Sequence, residues 1–174
     1  RRRLAGQGHF RKKAMSKDLT TSEIDRQNIL NNPYALTEIE RAAGIRGIPF
    51  EGKTVVLKEQ AASFFGVTLR TVENYLERNA AELARNGYEV LRGKRLKALK
   101  LAISGLDVPE TDFGNISKSP QLGILDFRAF LNLAMLMTES DRARLLRQAI
   151  LDKPQCHLFN QEVLEQRNMS RIGG

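Results

Sequence analysis

A chain of 174 residues can bury a sizeable core. Its apolar fraction of 41%, with no run near the ~18 residues of a membrane span, excludes a disordered chain and gives no spanning segment. One cysteine excludes an internal disulfide, and with only His9 and His157 as histidines little is left for metal or nucleophile chemistry; the formal charge is +8.

That charge is unevenly placed. Arg1, Arg2, Arg3, Arg11, Lys12, Lys13 and Lys17 fall in residues 1–17, which hold no acid, and the remaining 21 basic residues face 20 acidic ones. The sequence therefore reads as a near-neutral body with a basic arm. Such an arm either contacts phosphates or a minor groove, or is a solvated tail. No apolar segment follows it, so it is not an export signal, and an Arg-rich transit peptide is a weak alternative. Met15-Ser16-Lys17-Asp18 reads as a natural start, which would put residues 1–14 upstream of it or in a vector. The expected compartment is intracellular and reducing, the cytoplasm and its nucleoid. The glycosylation patterns at Asn115 and Asn168 are then accidental.

Residues 18–32 read as a short helix with Ile24, Ile29 and Leu30 on its apolar side, stopped by Asn31-Asn32-Pro33. Thr37-Glu38-Ile39-Glu40 has capping-box spacing and starts a second helix, ended by Gly44, Gly47 and Pro49. Lys53–Leu57 is β-branched and reads as a strand. Two helices follow, divided at Gly66. Tyr88–Leu91 reads as a strand, with Arg92-Gly93-Lys94-Arg95 as its turn, and Leu96, Leu99 and Ile103 mark a further helix. Residues 104–121, rich in Gly, Pro and Ser, read as a linker. Phe127, Phe130, Leu131, Ala134, Met135 and Met137 then form a broad apolar helical face, and a second helix runs from about Ser140 to Asp152. So short a connection makes the pair an antiparallel hairpin. Residues 153–174 read as a tail. The expected fold is mainly α: a winged helix-turn-helix over 18–103 with a two-stranded β wing, then the linker, then a hairpin over 122–152.

The informative segment is Lys58–Glu77. A helix-turn-helix needs a small residue where its helices press together, which Ala62 supplies, and a left-handed turn residue, which Gly66 supplies. Ala61, Phe65, Val67, Val72 and Tyr75 fall where a shared core is required, and Thr68 stands as N-cap of the second helix. A plain helical hairpin that binds nothing is the alternative. In a major groove, Thr68, Leu69, Arg70, Glu73, Asn74 and Glu77 would face the bases. Arg70 suits guanine O6 and N7, and Asn74 suits adenine N6 and N7. Thr68, Thr71 and Arg78 suit phosphates, as do Arg92, Lys94 and Arg95 of the wing. Glu73 and Glu77 oppose phosphate unless they accept from cytosine or orient a neighbouring Arg.

Gly52–Leu57, the helix-turn-helix and Gly87–Arg95 resemble the N-terminal DNA-binding part of RhuM-like virulence proteins and the KilA-N and Bro-N phage antirepressors. Leu125–Arg147 resembles the helical segment those proteins carry behind it; from Lys153 onward the sequence departs. The resemblance implies a bacterial or phage-derived regulator that binds double-stranded DNA, sometimes encoded beside a Fic-type toxin. The hairpin suits either packing on the DNA-binding part or self-association as a homodimer. A protein-interaction or antitoxin-like adaptor, using the Phe127–Ile150 face, is the rival reading.

Other chemistry is poorly supported. Gly87 and Gly93-Lys94 are separated by five residues where a phosphate-binding loop needs four, and Arg95 replaces its Ser or Thr. Cys156-His157 lacks the further ligands of a zinc site. Asp107, Glu110 and Asp112 with Glu51 and Lys53 fit solvated loops better than a nuclease centre. The expectation is a protein that is not an enzyme and has no cofactor or metal.

Overall fold

The computed structural model describes residues 18–107 and 116–152. The basic arm, Glu110, Asp112, the glycosylation asparagines Asn115 and Asn168 and the Cys156-His157 tail lie outside them.

Helix α1 is Glu23–Leu30, capped by the Ser22 side chain accepting from the Asp25 N–H. Ile24 points to solvent at 76% exposure, while Arg26 and Leu30 are buried. Helix α2 is Pro33–Ala43 and starts earlier than the Thr37 cap predicts. Asn32 accepts from the N–H groups of Tyr34 and Ala35, and Pro33 supplies a preset φ. Asn31-Asn32-Pro33 thus ends one helix and begins the next. The Thr37 hydroxyl donates to the Pro33 carbonyl instead of capping.

Strands β1 (Ile48–Phe50) and β2 (Lys53–Leu57) form a hairpin through Glu51 and Gly52, both at positive φ. Helices α3 (Lys58–Phe65), α4 (Leu69–Arg78) and α5 (Ala80–Arg85) follow, then β3 (Tyr88–Leu91), α6 (Gly93–Ser104), a 3-10 turn at Ile116–Lys118, β4 (Leu122–Asp126), α7 (Phe127–Leu136) and α8 (Asp141–Asp152). The protein is mainly helical with a small four-stranded antiparallel sheet, ordered β1-β2-β4-β3.

The two-stranded wing is therefore corrected. Lys53–Leu57 and Tyr88–Leu91 do not pair; β4 lies between them, with Val56 opposite Leu125 and Tyr88 on its other side. The expected basic turn at Arg92–Arg95 is instead the N-cap and first turn of α6, a helix held by burial of Leu96 and Leu99 one turn further on.

Alternation along the strands gives the sheet two different faces. Val55, Leu57, Leu91, Leu122 and Ile124 pack with Ile48 and Phe50 under Leu96 and Leu99 of α6, and Ile116 joins them. On the other face Val56 and Leu125 meet α3, α4, α5, α7 and α8 through Phe65, Val72, Leu83, Phe130 and Ala143. A third cluster joins Leu19, Leu30 and Ile39 to Leu131, Met135 and Ile150. Core and sheet thus draw on both the 18–103 and the 122–152 regions. The broad apolar face of α7 is spent inside the molecule: Ala129 to Leu136 are all buried.

Within the core lies a polar network. Arg26 donates twice to the Glu82 carboxylate, at 2.7 and 2.8 Å, and once to the Leu19 carbonyl at 2.7 Å. Asn132 donates to Glu82 at 2.8 Å and accepts from Asn86 at 2.9 Å. Arg128 donates to Asn86, to the Leu30 carbonyl and to Asn31. Helices α1, α5 and α7 meet here. Burial alone would raise the Glu82 carboxyl; the hydrogen bonds from Arg26 and Asn132 outweigh it and hold the group below its ordinary 4.5. That depression contributes stability present above pH 4.5 and lost as the pH falls through the lower folded value. Arg26→Ala leaves the carboxylate buried and unpaired, so the urea midpoint should fall by the equivalent of ~3–5 kcal/mol. In Glu82→Gln the acid-induced loss of stability should shrink when the same titration is run from pH 7 downward.

Candidate nucleic-acid interface

Helix α3 opens with the Gln60 side chain accepting from the Leu57 N–H at 3.0 Å. It closes at Gly66, whose φ of 66° is the left-handed conformation that a Cβ opposes. The Gly66 N–H donates to the Ser63 carbonyl and the Val67 N–H to the Ala62 carbonyl, which completes the last turn. Thr68 then caps α4, its hydroxyl accepting from the Thr71 N–H at 3.2 Å and lying 3.0 Å from the Thr71 hydroxyl. Ala61, Ala62, Phe65 and Val72 are buried, and Val67 and Tyr75 are packed against the same cluster. These are the positions the sequence assigns to the shared core of the two helices.

The two-helix unit is tied to the end of the α7–α8 pair. The Ser140 hydroxyl donates to the Phe65 carbonyl at 2.7 Å and accepts from the Ala143 N–H at 3.1 Å, serving two helix ends at once. Arg142 donates to the Phe64 carbonyl, and its guanidinium lies 5.6 Å from the Phe64 ring centre. Phe65 stacks on Phe130 at 4.9 Å. From α4, the Tyr75 hydroxyl accepts from the Thr138 N–H and donates to Glu139, whose carboxyl is held below the ordinary range mainly by that bond.

With Val72 and Leu76 turned inward, Thr68, Leu69, Arg70, Glu77 and Arg78 are exposed, and Thr71, Glu73 and Asn74 are partly exposed. All the residues singled out in this segment thus keep some exposure to solvent. Asn74 and Arg78 make no side-chain hydrogen bond among the described residues. Arg70 has its guanidinium 3.9 Å from Glu73 and 3.9 Å from Glu77. The second Glu73 oxygen accepts from Lys58 at 2.8 Å. Burial would lower the Lys58 ammonium, but Glu73 outweighs it and the net shift is upward. Beside it, burial pushes the Glu59 carboxyl up, and its Oε2 is buried without a hydrogen-bond partner.

The other predicted contacts stand apart. Arg92 donates to Gln121 at 2.9 Å. Arg95 is divided between Glu51, at 2.7 and 2.9 Å, and Glu89, at 2.9 and 3.0 Å, and this pairing holds both carboxyls below their usual range. Lys94 is exposed and makes no ion pair among the described residues. These residues lead into α6, which covers the sheet face opposite α3 and α4. Lys97, which sequence reasoning passed over, is also exposed on α6. Its signal was available: the helix carries four basic residues and no acid. Among the described residues no cluster of His, Cys, Asp and Glu is placed to hold a metal ion, and no helix is long and apolar enough to cross a membrane.

No family model, curated protein or solved structure matches this chain.

Two substitutions probe the local geometry. Gly66→Ala forces a Cβ into the left-handed region and should cost about 1–2 kcal/mol. Thr68→Ala removes the α4 cap and should cost about 1 kcal/mol. Chemical denaturation followed by circular dichroism checks both. A Gly66→Ala protein as stable as the parent would contradict the turn geometry.

Proposed function

We propose that this chain binds double-stranded DNA through α4 and acts as a sequence-specific transcriptional regulator. What supports the reading is the orientation of α4. Its inner side is anchored by Val72 and Leu76, while Leu69 and Arg70, in its first turn, and Asn74, at its middle, keep exposure to solvent. Read as a helix-turn-helix, α3 crosses the backbone and α4 lies in the major groove. Arg70 then addresses guanine and Asn74 adenine, and Leu69 suits a thymine methyl group. Thr68, Thr71 and Arg78 take phosphates. Glu73 and Glu77 flank the reading positions. The likeness of the sequence to RhuM-like and antirepressor proteins points the same way.

On the α6 side, Arg92 and Lys94 are the phosphate contacts carried over from the sequence, and Lys97 extends that row. Arg95 brings little free charge, being shared by two carboxylates. The adaptor reading, including a Fic-type toxin as partner, loses its main support because the α7 face that motivated it is buried.

Selection of bound sequences from a random duplex pool tests the reading, and a palindromic winner would report a homodimer on the DNA. Arg70→Ala should relax preference at one base pair by about 1–3 kcal/mol. Lys94→Ala should weaken binding to all sequences alike and reduce the slope of log K against log salt by ~0.9. An unchanged slope would remove α6 from the interface. Failure to enrich any sequence, with no binding at micromolar protein and low salt, would reject the DNA reading.

A further inference from the structure

The charges on the outward face of α4 are not independent. Arg70 sits 3.9 Å from a carboxylate oxygen of Glu73 and 3.9 Å from one of Glu77. The first partner is fixed: its other oxygen is held by Lys58 at 2.8 Å, and its side chain is 29% exposed. The second is free to swing, with a side chain 68% exposed. Arg70 therefore lies between a fixed and a mobile negative charge, at the place where a nucleic acid would approach.

Phosphate and a base edge meet this arrangement differently. A phosphate brings a full negative charge against two carboxylates, and it does so at every sequence. A guanine edge is neutral and presents two acceptors in the plane that suits a guanidinium fork. The carboxylates penalise the first far more than the second, which is discrimination by repulsion of the wrong target.

We propose that Glu73 and Glu77 are specificity-determining residues that hold Arg70 away from phosphate and reserve it for a base edge, with Lys58 as a positioning residue for Glu73. This rests on the duplex-DNA reading above.

The test uses the full chain and measures fluorescence anisotropy across a salt series. One labelled probe is a random-sequence duplex pool; the other is the duplex that the unmodified protein selects from that pool. Glu77→Gln should tighten binding to the pool by roughly fivefold, the scale of one exposed charge pair. It should steepen the salt slope by up to ~0.9, equivalent to one phosphate contact. Binding to the selected duplex should gain less, so the ratio of the two affinities falls. Glu73→Gln should act in the same direction. In an Arg70→Ala background the Glu77→Gln effect on pool binding should largely vanish, because the clamp then has nothing to hold.

If the unmodified protein binds neither probe, the DNA reading and this inference fall together. If it binds and selects, but Glu77→Gln leaves the affinity ratio unchanged, the inference fails and the DNA reading stands. A Glu77→Gln effect that survives in full without Arg70 also overturns it, by reducing Glu77 to a general surface charge. Since Glu77 is exposed, an unchanged thermal midpoint for its variant separates these outcomes from a folding defect.

Discussion

The Arg26–Glu82 pair is the constraint from which most of the arrangement follows. Its two side chains are almost entirely removed from water, so neither charge is tolerable without the other. Replaced together by apolar groups, such a pair often contributes little to net stability; what it dictates is which helices must meet. Here Glu82 lies on α5, which follows α4 after Asn79 alone. Asn132 and Asn86 extend the same hydrogen bonds to α7 and to Arg128, which closes on the end of α1. Fixing α5 at one end and Tyr75 at the α7–α8 connection leaves α4 little freedom to turn. Its outward face is thus set by groups far from it in sequence.

Electrostatically, that face is close to balanced. Arg70 and Arg78 offset Glu73 and Glu77, and Lys58 is already engaged. Among the described residues, Lys94 and Lys97, on α6 across the sheet, are exposed and make no ion pair. A surface of this kind attracts a polyanion weakly at long range and relies on close fit. Two surfaces separated by a sheet also constrain geometry, since one duplex meets both only by passing around an edge of the sheet, at β1 or β3.

The pair of helices divided at Gly66 was legible because its demands are local. Gly66, Thr68 and the buried positions from Ala61 to Val72 follow from spacing over a few residues. The missed features depend on distant partners. Leu122–Asp126 is buried on both faces, so it shows no alternation, and a short apolar run before a helix reads as part of that helix. Pro49 reads as a breaker, yet an edge strand tolerates its missing N–H. The burial of Arg26 could not be read from its own segment, because its carboxylate partner comes 56 residues later. The Arg92–Arg95 turn failed because a glycine among basic residues after a strand reads as a loop, whereas here Gly93 opens α6. The outward positions of α4 were placed correctly by the pattern, whereas the mutual pairing of its charges needed the third dimension.

Inserting β4 between β2 and β3 also governs the order in which this molecule is assembled. As the chain leaves the ribosome, the first three strands emerge long before the one that joins them. Until residues 122–126 arrive, the inner edges of β2 and β3 have no native partner, and the apolar surfaces that α7 later covers stay open. Completion of the sheet therefore waits on non-local contacts that form only after residues 122–126 have been made. A nascent fragment stopping at Ser104 would present two sticky strand edges, a natural target for chaperones.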